Sequence, residues 1–149
     1  MLLKDFETAD FRDEIAAIGD PLFGGETSLY IDDIINNKSG HKVFAAVKDG
    51  KVAGFAVLST VLDEAEILEV AVAGNLRRGG IASGLMTEIL EWCKKNEIAQ
   101  IFLEVRESNV VAVNYYDKFD FIKNGVRKNY YKNPSENAVL MSKKLSEAS

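Results

Sequence analysis

The stretch VAVAGNLRRGGIASGL, Val70 to Leu85, decides the reading of the fold. A β-branched run ends at Val72, a basic loop with adjacent glycines follows, and Ile81, Leu85 and Ile89 then recur at helical spacing. A strand that gives way to a glycine loop and a helix presents backbone N–H groups that have no intrahelical partner. Arg77 and Arg78 add positive charge, and Gly79 and Gly80 leave the backbone unobstructed, so the loop suits an anion, with a diphosphate as the natural guest. No Gly-Lys-Ser/Thr follows, which excludes a nucleotide P-loop, and the adjacency of Gly79 and Gly80 excludes G-x-G-x-x-G. On this stretch alone, an ordinary strand-to-helix turn stands beside the anion site as a reading.

Upstream of it lie three β-branched runs, Val43 to Val47, Val52 to Val61 and Ile67 to Val72, separated by Lys48-Asp49-Gly50-Lys51 and Leu62-Asp63-Glu64. They read as a meander, with Asp49-Gly50 as a two-residue hairpin turn. Before them the chain predicts a strand from Leu2 to Glu7 and a helix capped by Thr8 or Asp10 that carries Phe11, Ile15 and Ile18 and is stopped by Gly19-Asp20-Pro21. A second helix follows from about Glu26 to Asn37, with Leu29, Ile31, Ile34 and Ile35 on or beside one face. Downstream, the helix begun at Ile81 ends in Lys94-Lys95-Asn96. A strand Gln100 to Arg106, a helix Val110 to Phe119, a strand from about Asp120 to Val126 and a strand Ala138 to Lys143 complete the chain. The order β-α-α-β-β-β-α-β-α-β-β predicts one α/β domain over residues 1–149. Helices alternate with strands only in the second half, so a doubly wound dinucleotide fold is not indicated.

Composition narrows the partners. With 149 residues and 47% hydrophobic content, the chain can close one core of ordinary size. Its 23 acidic and 18 basic residues give a net charge of -5, which disfavours nucleic acid and tolerates a basic substrate better than an acidic one. The single cysteine, Cys93, excludes an internal disulfide and fits a reducing, cytoplasmic setting. No apolar run approaches the roughly 20 residues of a membrane helix, and acids within the first ten residues do not fit a secretion signal. Neither membrane association nor a metal is expected.

Arg77-x-x-Gly80-x-Ala82 matches the R/Q-x-x-G-x-G/A signature of the GNAT superfamily of N-acetyltransferases. The chain resembles that superfamily at two further blocks. LEVRESN, Leu103 to Asn109, followed by Ala112, Tyr116 and Phe121, is similar to a run found in ribosomal-protein-alanine N-acetyltransferases of the RimI type. So are GVRKNYY, Gly125 to Tyr131, and ENAVLM, Glu136 to Met141. The three blocks span about Asp63 to Leu145. The resemblance implies the GNAT acyltransferase fold, a mixed, mostly antiparallel central sheet with helices on both faces. It also implies acetyl-CoA as cosubstrate and a protein N-terminus as acceptor, the N-terminal alanine of a small-subunit ribosomal protein. The backbone of Val70, Ala71 and Val72 is then expected to bond the pantetheine and polarise the acetyl oxygen. Arg77, Arg78, Gly79, Gly80, Ile81, Ala82 and Ser83 would line the pyrophosphate, and Asn109 the pantetheine arm.

The transfer needs a base for the amine's proton and an acid for the departing thiolate. The resemblance implies Glu104 of LEVRESN as the base; alternation puts it with Phe102 on the strand face opposite Ile101, Leu103 and Val105, where a solvated strand carboxylate is the other reading. Tyr116 is the expected acid, chosen over Tyr115 by its place in the motif. Adjacent helical residues diverge by about 100°, so only one of the two can face the thiolate. Tyr130 and Tyr131, read as lying between the last two strands, are expected to hold the acceptor peptide. Glu69 either faces the substrate amine or is exposed. Cys93 and His41 read as core and strand-edge residues without a role in catalysis.

Three positions depart from the family pattern. Asp120 stands for a glycine, Gly74 for a proline and Asn137 for an aspartate. Two rival readings remain at this level: acetylation of a small amine or lysine side chain, and an acetyl-CoA-binding module without turnover.

Overall fold

The structure is a computed structural model that describes residues 2–4, 8–23, 27, 31, 40–74, 80–132 and 134–145. Its elements are β1 (Leu2–Lys4), α1 (Thr8–Phe23), β2 (His41–Lys48), β3 (Lys51–Val61), β4 (Glu64–Val72), α2 (Ile81–Lys95), β5 (Gln100–Arg106), α3 (Val110–Lys118), β6 (Ile122–Tyr131) and β7 (Glu136–Lys144). Of the second helix expected at 26–37, only Thr27 and Ile31 are described, both helical; the rest of it lies outside the described residues.

The strands form one sheet in the order β1-β2-β3-β4-β5-β7-β6. Every pairing is antiparallel except β4 with β5. The β2–β3 turn is the expected one: Asp49 and Gly50 both have positive φ, 53° and 77°, the type I′ geometry that matches strand twist.

Each face of the sheet buries its own apolar set. Phe44, Ala56 and Leu58 face α2 through Leu85, Met86, Ile89 and Cys93, and Tyr116 of α3 joins the same cluster. On the other face Ile15 of α1 and Ile31 pack against Val43, Phe55, Val57 and Ala71. The alternation of Val43, Phe44, Phe55 and Ala56 between the two clusters is the period-2 geometry of strands covered on both sides. No described helix is long and apolar enough to cross a membrane.

Gly54 sets how closely α2 approaches the sheet. A Cβ there would lie 2.8 Å from the Ala71 carbonyl oxygen and 3.0 Å from Ile81 Cγ2. Because backbone cannot yield as a side chain can, Gly54→Ala is expected to cost about 1–3 kcal/mol through overpacking. A lowered urea midpoint with unchanged slope would register it.

Several boundaries differ from expectation, β4 for one beginning at Glu64 instead of Ile67, and two of them matter most here. Helix α1 does not stop at Gly19-Asp20-Pro21 but continues to Phe23 with Pro21 inside. A proline forfeits one helical hydrogen bond and crowds the preceding turn, but here it falls in the last turn. The helix is anchored upstream by buried Ile15 and Ala16 and by Gly19, where a Cβ would collide with Thr27. Strand β6 does not end at Val126 but runs to Tyr131, so Tyr130 and Tyr131 end a strand instead of lying between two. Its register shifts between Arg127 and Tyr131 around Asn129, whose φ is 52° and whose N–H donates to Asn137 Oδ1 at 2.9 Å. Such an irregularity lets a polar stretch stay in the ladder. Asn137, where the family has an aspartate, supplies the required oxygen without the charge.

Candidate active site

The site begins where β4 and β5 part. They pair in parallel only from Glu64↔Gln100 to Ile67↔Leu103. Leu68 is then the extra residue opposite a register shift, with Ile67 facing Leu58 and Glu69 facing Val57. Beyond it β4 follows β3, through Val70↔Ala56, Ala71↔Phe55 and Val72↔Gly54, whereas β5 follows β7 as far as Arg106↔Ala138. The two strands therefore open a V between Val70–Val72 and Glu104–Arg106. Backbone polar groups along the β4 side of that gap have lost their ladder partner and must find another.

Helix α2 starts at the mouth of this gap, since Ile81 approaches the Gly54 position paired with Val72. Its cap is Gly80, with φ 82°, no side-chain cap and no acid in the first turn. A bare N-terminus on a fifteen-residue helix presents outward N–H groups and the positive end of the helix dipole, which suits a phosphate. Gly80 needs its left-handed φ, which a β-carbon disfavours. Ile81 is buried, whereas Ala82 and Ser83 are half-buried beside the cap. Arg77, Arg78 and Gly79 lie outside the described residues.

Glu104 projects from β5 on the face opposite Ile101, Leu103 and Val105, as the alternation predicts, and its side chain is one-fifth exposed. Arg127 of β6 pairs with it, Nη2 to Oε1 at 3.3 Å, while the same guanidinium lies 4.9 Å from the Tyr130 ring centroid. The Glu104 carboxylate close to the Tyr130 hydroxyl raises that phenol above its usual range. Tyr131 packs edge-on against Tyr130 at 5.1 Å. Burial, then the Glu104 charge, push its hydroxyl up to about 12. Sequence reasoning named Glu104, Tyr130 and Tyr131 but missed Arg127, although it begins the R-x-N-Y-Y segment.

A latch fixes this group from β5. Arg106 lies 4.4 Å from the Tyr131 ring centroid and donates to the carbonyls of Lys132 and Pro134 and to Glu136 Oε1, each at 3.2 Å. The other Glu136 oxygen accepts from the Ser108 N–H at 2.5 Å. Hydrogen bonds from Ser108, with Arg106 adding to them, hold the Glu136 carboxyl below its ordinary range. The β6–β7 turn is thereby tied to the end of β5 and the start of α3.

On α3 the two tyrosines diverge. Tyr115 donates its hydroxyl to the Ala82 carbonyl at 2.6 Å and so joins α3 to the start of α2. Tyr116 is 8% exposed and packs edge-on against Tyr115 and Phe121, at 5.0 and 5.6 Å. Burial raises its pKa far above the usual phenol range, with Tyr131 as the next cause. Asn109 caps α3, its side-chain oxygen accepting from the Ala112 N–H at 3.1 Å. Asp120, which replaces the family's glycine, has φ 68°, so the left-handed position is kept by a residue that tolerates it.

Glu69 is buried, not exposed. The extra residue at Leu68 turns it toward the α1 face, where it is 5% exposed and accepts from Thr27 Oγ1 at 3.0 Å. Glu66, unnamed in the sequence reading, shares the Glu104 face, since it lies opposite Phe102. Burial, then the charge of Glu104, raise its carboxyl above the ordinary range, and Arg127 opposes them. Cys93 is fully buried, which pushes its thiol up to about 12 and leaves it inert.

Comparison with known proteins fits this geometry. Residues 6–121 match the acetyltransferase (GNAT) family. The chain is 33% identical over 105 residues to the ribosomal protein bS18-alanine N-acetyltransferase of Escherichia coli (strain K12), covering 69% of this chain and 71% of that one. The crystal structure of the ribosomal-protein-S18-alanine N-acetyltransferase from Escherichia coli superposes with a TM-score of 0.81 at 28% identity, over 99% of this chain and 96% of the other. An aminoglycoside 6'-N-acetyltransferase complexed with coenzyme A shares the fold, with a TM-score of 0.85 at 13% identity, over 100% and 99% of the two chains.

Proposed function

Because the chain belongs to the GNAT acetyltransferase family and is an acetyl-CoA-dependent N-acetyltransferase, we propose that its acceptor is the N-terminal α-amine of a protein, the N-terminal alanine of ribosomal protein bS18. The observation that carries this reading is the grouping of Glu104, Arg127, Tyr130 and Tyr131 beside the parting of β4 and β5. A carboxylate on a sheet face, flanked by two strand-end tyrosines, suits an amine carried on an extended peptide.

Acetyl-CoA supplies the activated acyl group. The gap beside Val70, Ala71 and Val72 has the unpaired backbone edge that an amide-bearing pantetheine arm needs. The Gly80 cap, with Ile81, Ala82 and Ser83, offers N–H groups for the pyrophosphate, and Arg77, Arg78 and Gly79 complete that loop. Asn109 keeps its amide NH2 for the arm, since its oxygen is spent on the cap. Glu104 takes the proton of the incoming amine, directly or through water. An α-amine, with a pKa of roughly 8 against about 10.4 for lysine, asks less of that base. Tyr116, held protonated by burial, is the proton donor to the thiolate. Tyr130 and Tyr131 flank the first acceptor residues, and Glu69, fixed by Thr27, forms part of the wall. The whole of residues 1–149 acts as one domain in this reading, working in the cytoplasm, where ribosomal proteins are made.

The test compares kcat/KM on a peptide copying the alanine-starting N-terminus of the source organism's bS18 with the same peptide begun by methionine or glutamate, and with free polyamines. At least a tenfold preference for the alanine peptide is expected, about 1.4 kcal/mol. Equal turnover of polyamines would move the assignment to a small amine.

A further inference from the structure

The proposed chemistry uses Glu104 but not the hollow beside it. A cavity of about 490 Å³ lies there, its apolar lining on the Glu104 face supplied by Phe102 and Leu140, while Ala65, Leu103 and Met141 border it from strand positions whose side chains turn to the opposite face. Three carboxylates, Glu64, Glu66 and Glu104, border it against one guanidinium, that of Arg127. Arg127 is already engaged by Glu104 and the Tyr130 ring.

We infer that this trough is a specificity site for a basic side chain, lysine or arginine, at the second or third position of the acceptor polypeptide. The inference rests on the N-terminal acceptor reading and names what that acceptor carries next. Charge complementarity is the first argument. An acidic side chain would meet three carboxylates against one guanidinium, whereas a cation would add to the partial compensation that Arg127 gives Glu66 and Glu104. The state of Glu66 agrees, because an apolar floor and a neighbouring negative charge already strain its ionised form, and an incoming cation relieves both.

Reach is the second argument. Glu66 lies opposite Phe102, two residues before Glu104 on β5, and Glu64 lies opposite Gln100, two residues earlier again. An extended chain advances about 3.3 Å per residue, so each step of two spans roughly 7 Å. With the amine at Glu104 and the acceptor extended along β5 toward Gln100, one of the next two side chains, which point to opposite sides, comes over Glu66, and a long basic side chain there extends toward Glu64. Its aliphatic stem would cover the apolar floor while its charge met the rim. The trough is unsuited to the phosphates of the cosubstrate, which the same carboxylates repel.

The experiment uses three alanine-starting peptides that differ only in carrying Lys, Ala or Glu at positions two and three. Their binding is measured by fluorescence anisotropy with CoA present, and acetylation is followed in parallel. The lysine peptide is expected to bind at least about tenfold more tightly than the glutamate peptide, a gap that shrinks as salt is added. The ranking should collapse in Glu66→Gln and reverse in Glu66→Lys. Equal binding of all three, or a ranking that survives Glu66→Gln, would overturn the inference. An intact ranking without N-terminal acetylation would support the trough and sink the acceptor reading instead.

Discussion

Glu104→Gln is expected to lower kcat on an alanine-starting peptide by about 10²–10⁴-fold, the range for loss of a general base, with KM for acetyl-CoA nearly unchanged. The amide keeps the size of the side chain but takes up no proton. The β4 edge along Val70–Val72 and the Gly80 cap, which would hold the cosubstrate, are built from other elements than the β5 strand that carries Glu104. Steady-state kinetics check both halves. The deficit should narrow as pH rises past roughly 8, where the α-amine sheds its proton to solvent and needs the base less.

The largest effect on stability is expected at Phe121. This residue is 1% exposed, its ring meets Tyr116 edge-on at 5.6 Å, and its N–H donates to the Tyr116 carbonyl at 3.1 Å. Phe121→Ala empties the space under α3 and should cost about 3–5 kcal/mol. For a chain of this size that is a fall in Tm on the order of ten degrees, measurable by calorimetry. Because Tyr116 loses its support at the same time, the residual folded enzyme should also turn over more slowly.

The parts of the fold that were legible in the sequence are those decided locally. Strand β5 was read with its observed bounds because Ile101, Leu103 and Val105 alternate with polar or aromatic neighbours. The Asp49-Gly50 turn and the left-handed Asp120 follow from what those residue types permit. The rest depends on partners distant in sequence. Helix α1 passes Pro21 because tertiary packing at Ile15 and Gly19 outweighs a local stop signal. Strand β6 reaches Tyr131 because Asn137, eight residues beyond Asn129, supplies the bond that its irregular register needs.

The site divides the same way. Glu104 and the two strand-end tyrosines were found from motif and alternation. Arg127, Arg106 and Glu66 were not, because their meaning lies in the β6–β7 and β4–β5 registers that bring them to Glu104 and Tyr131. Glu69 was left open between facing the substrate amine and exposure, and its burial depends on the register shift at Leu68, which alternation alone does not show. The extra residue there reverses the facing of everything after it.

The central claim is transfer of an acetyl group to an α-amine under the control of Glu104. One peptide with a free N-terminal alanine and an internal lysine, incubated with acetyl-CoA and the enzyme and located by fragment-ion mass spectrometry, tests it most directly. The account predicts acetyl on the α-amine alone, with its rate cut at least about 100-fold by Glu104→Gln; acetyl on the lysine, or undiminished transfer by that variant, would contradict it.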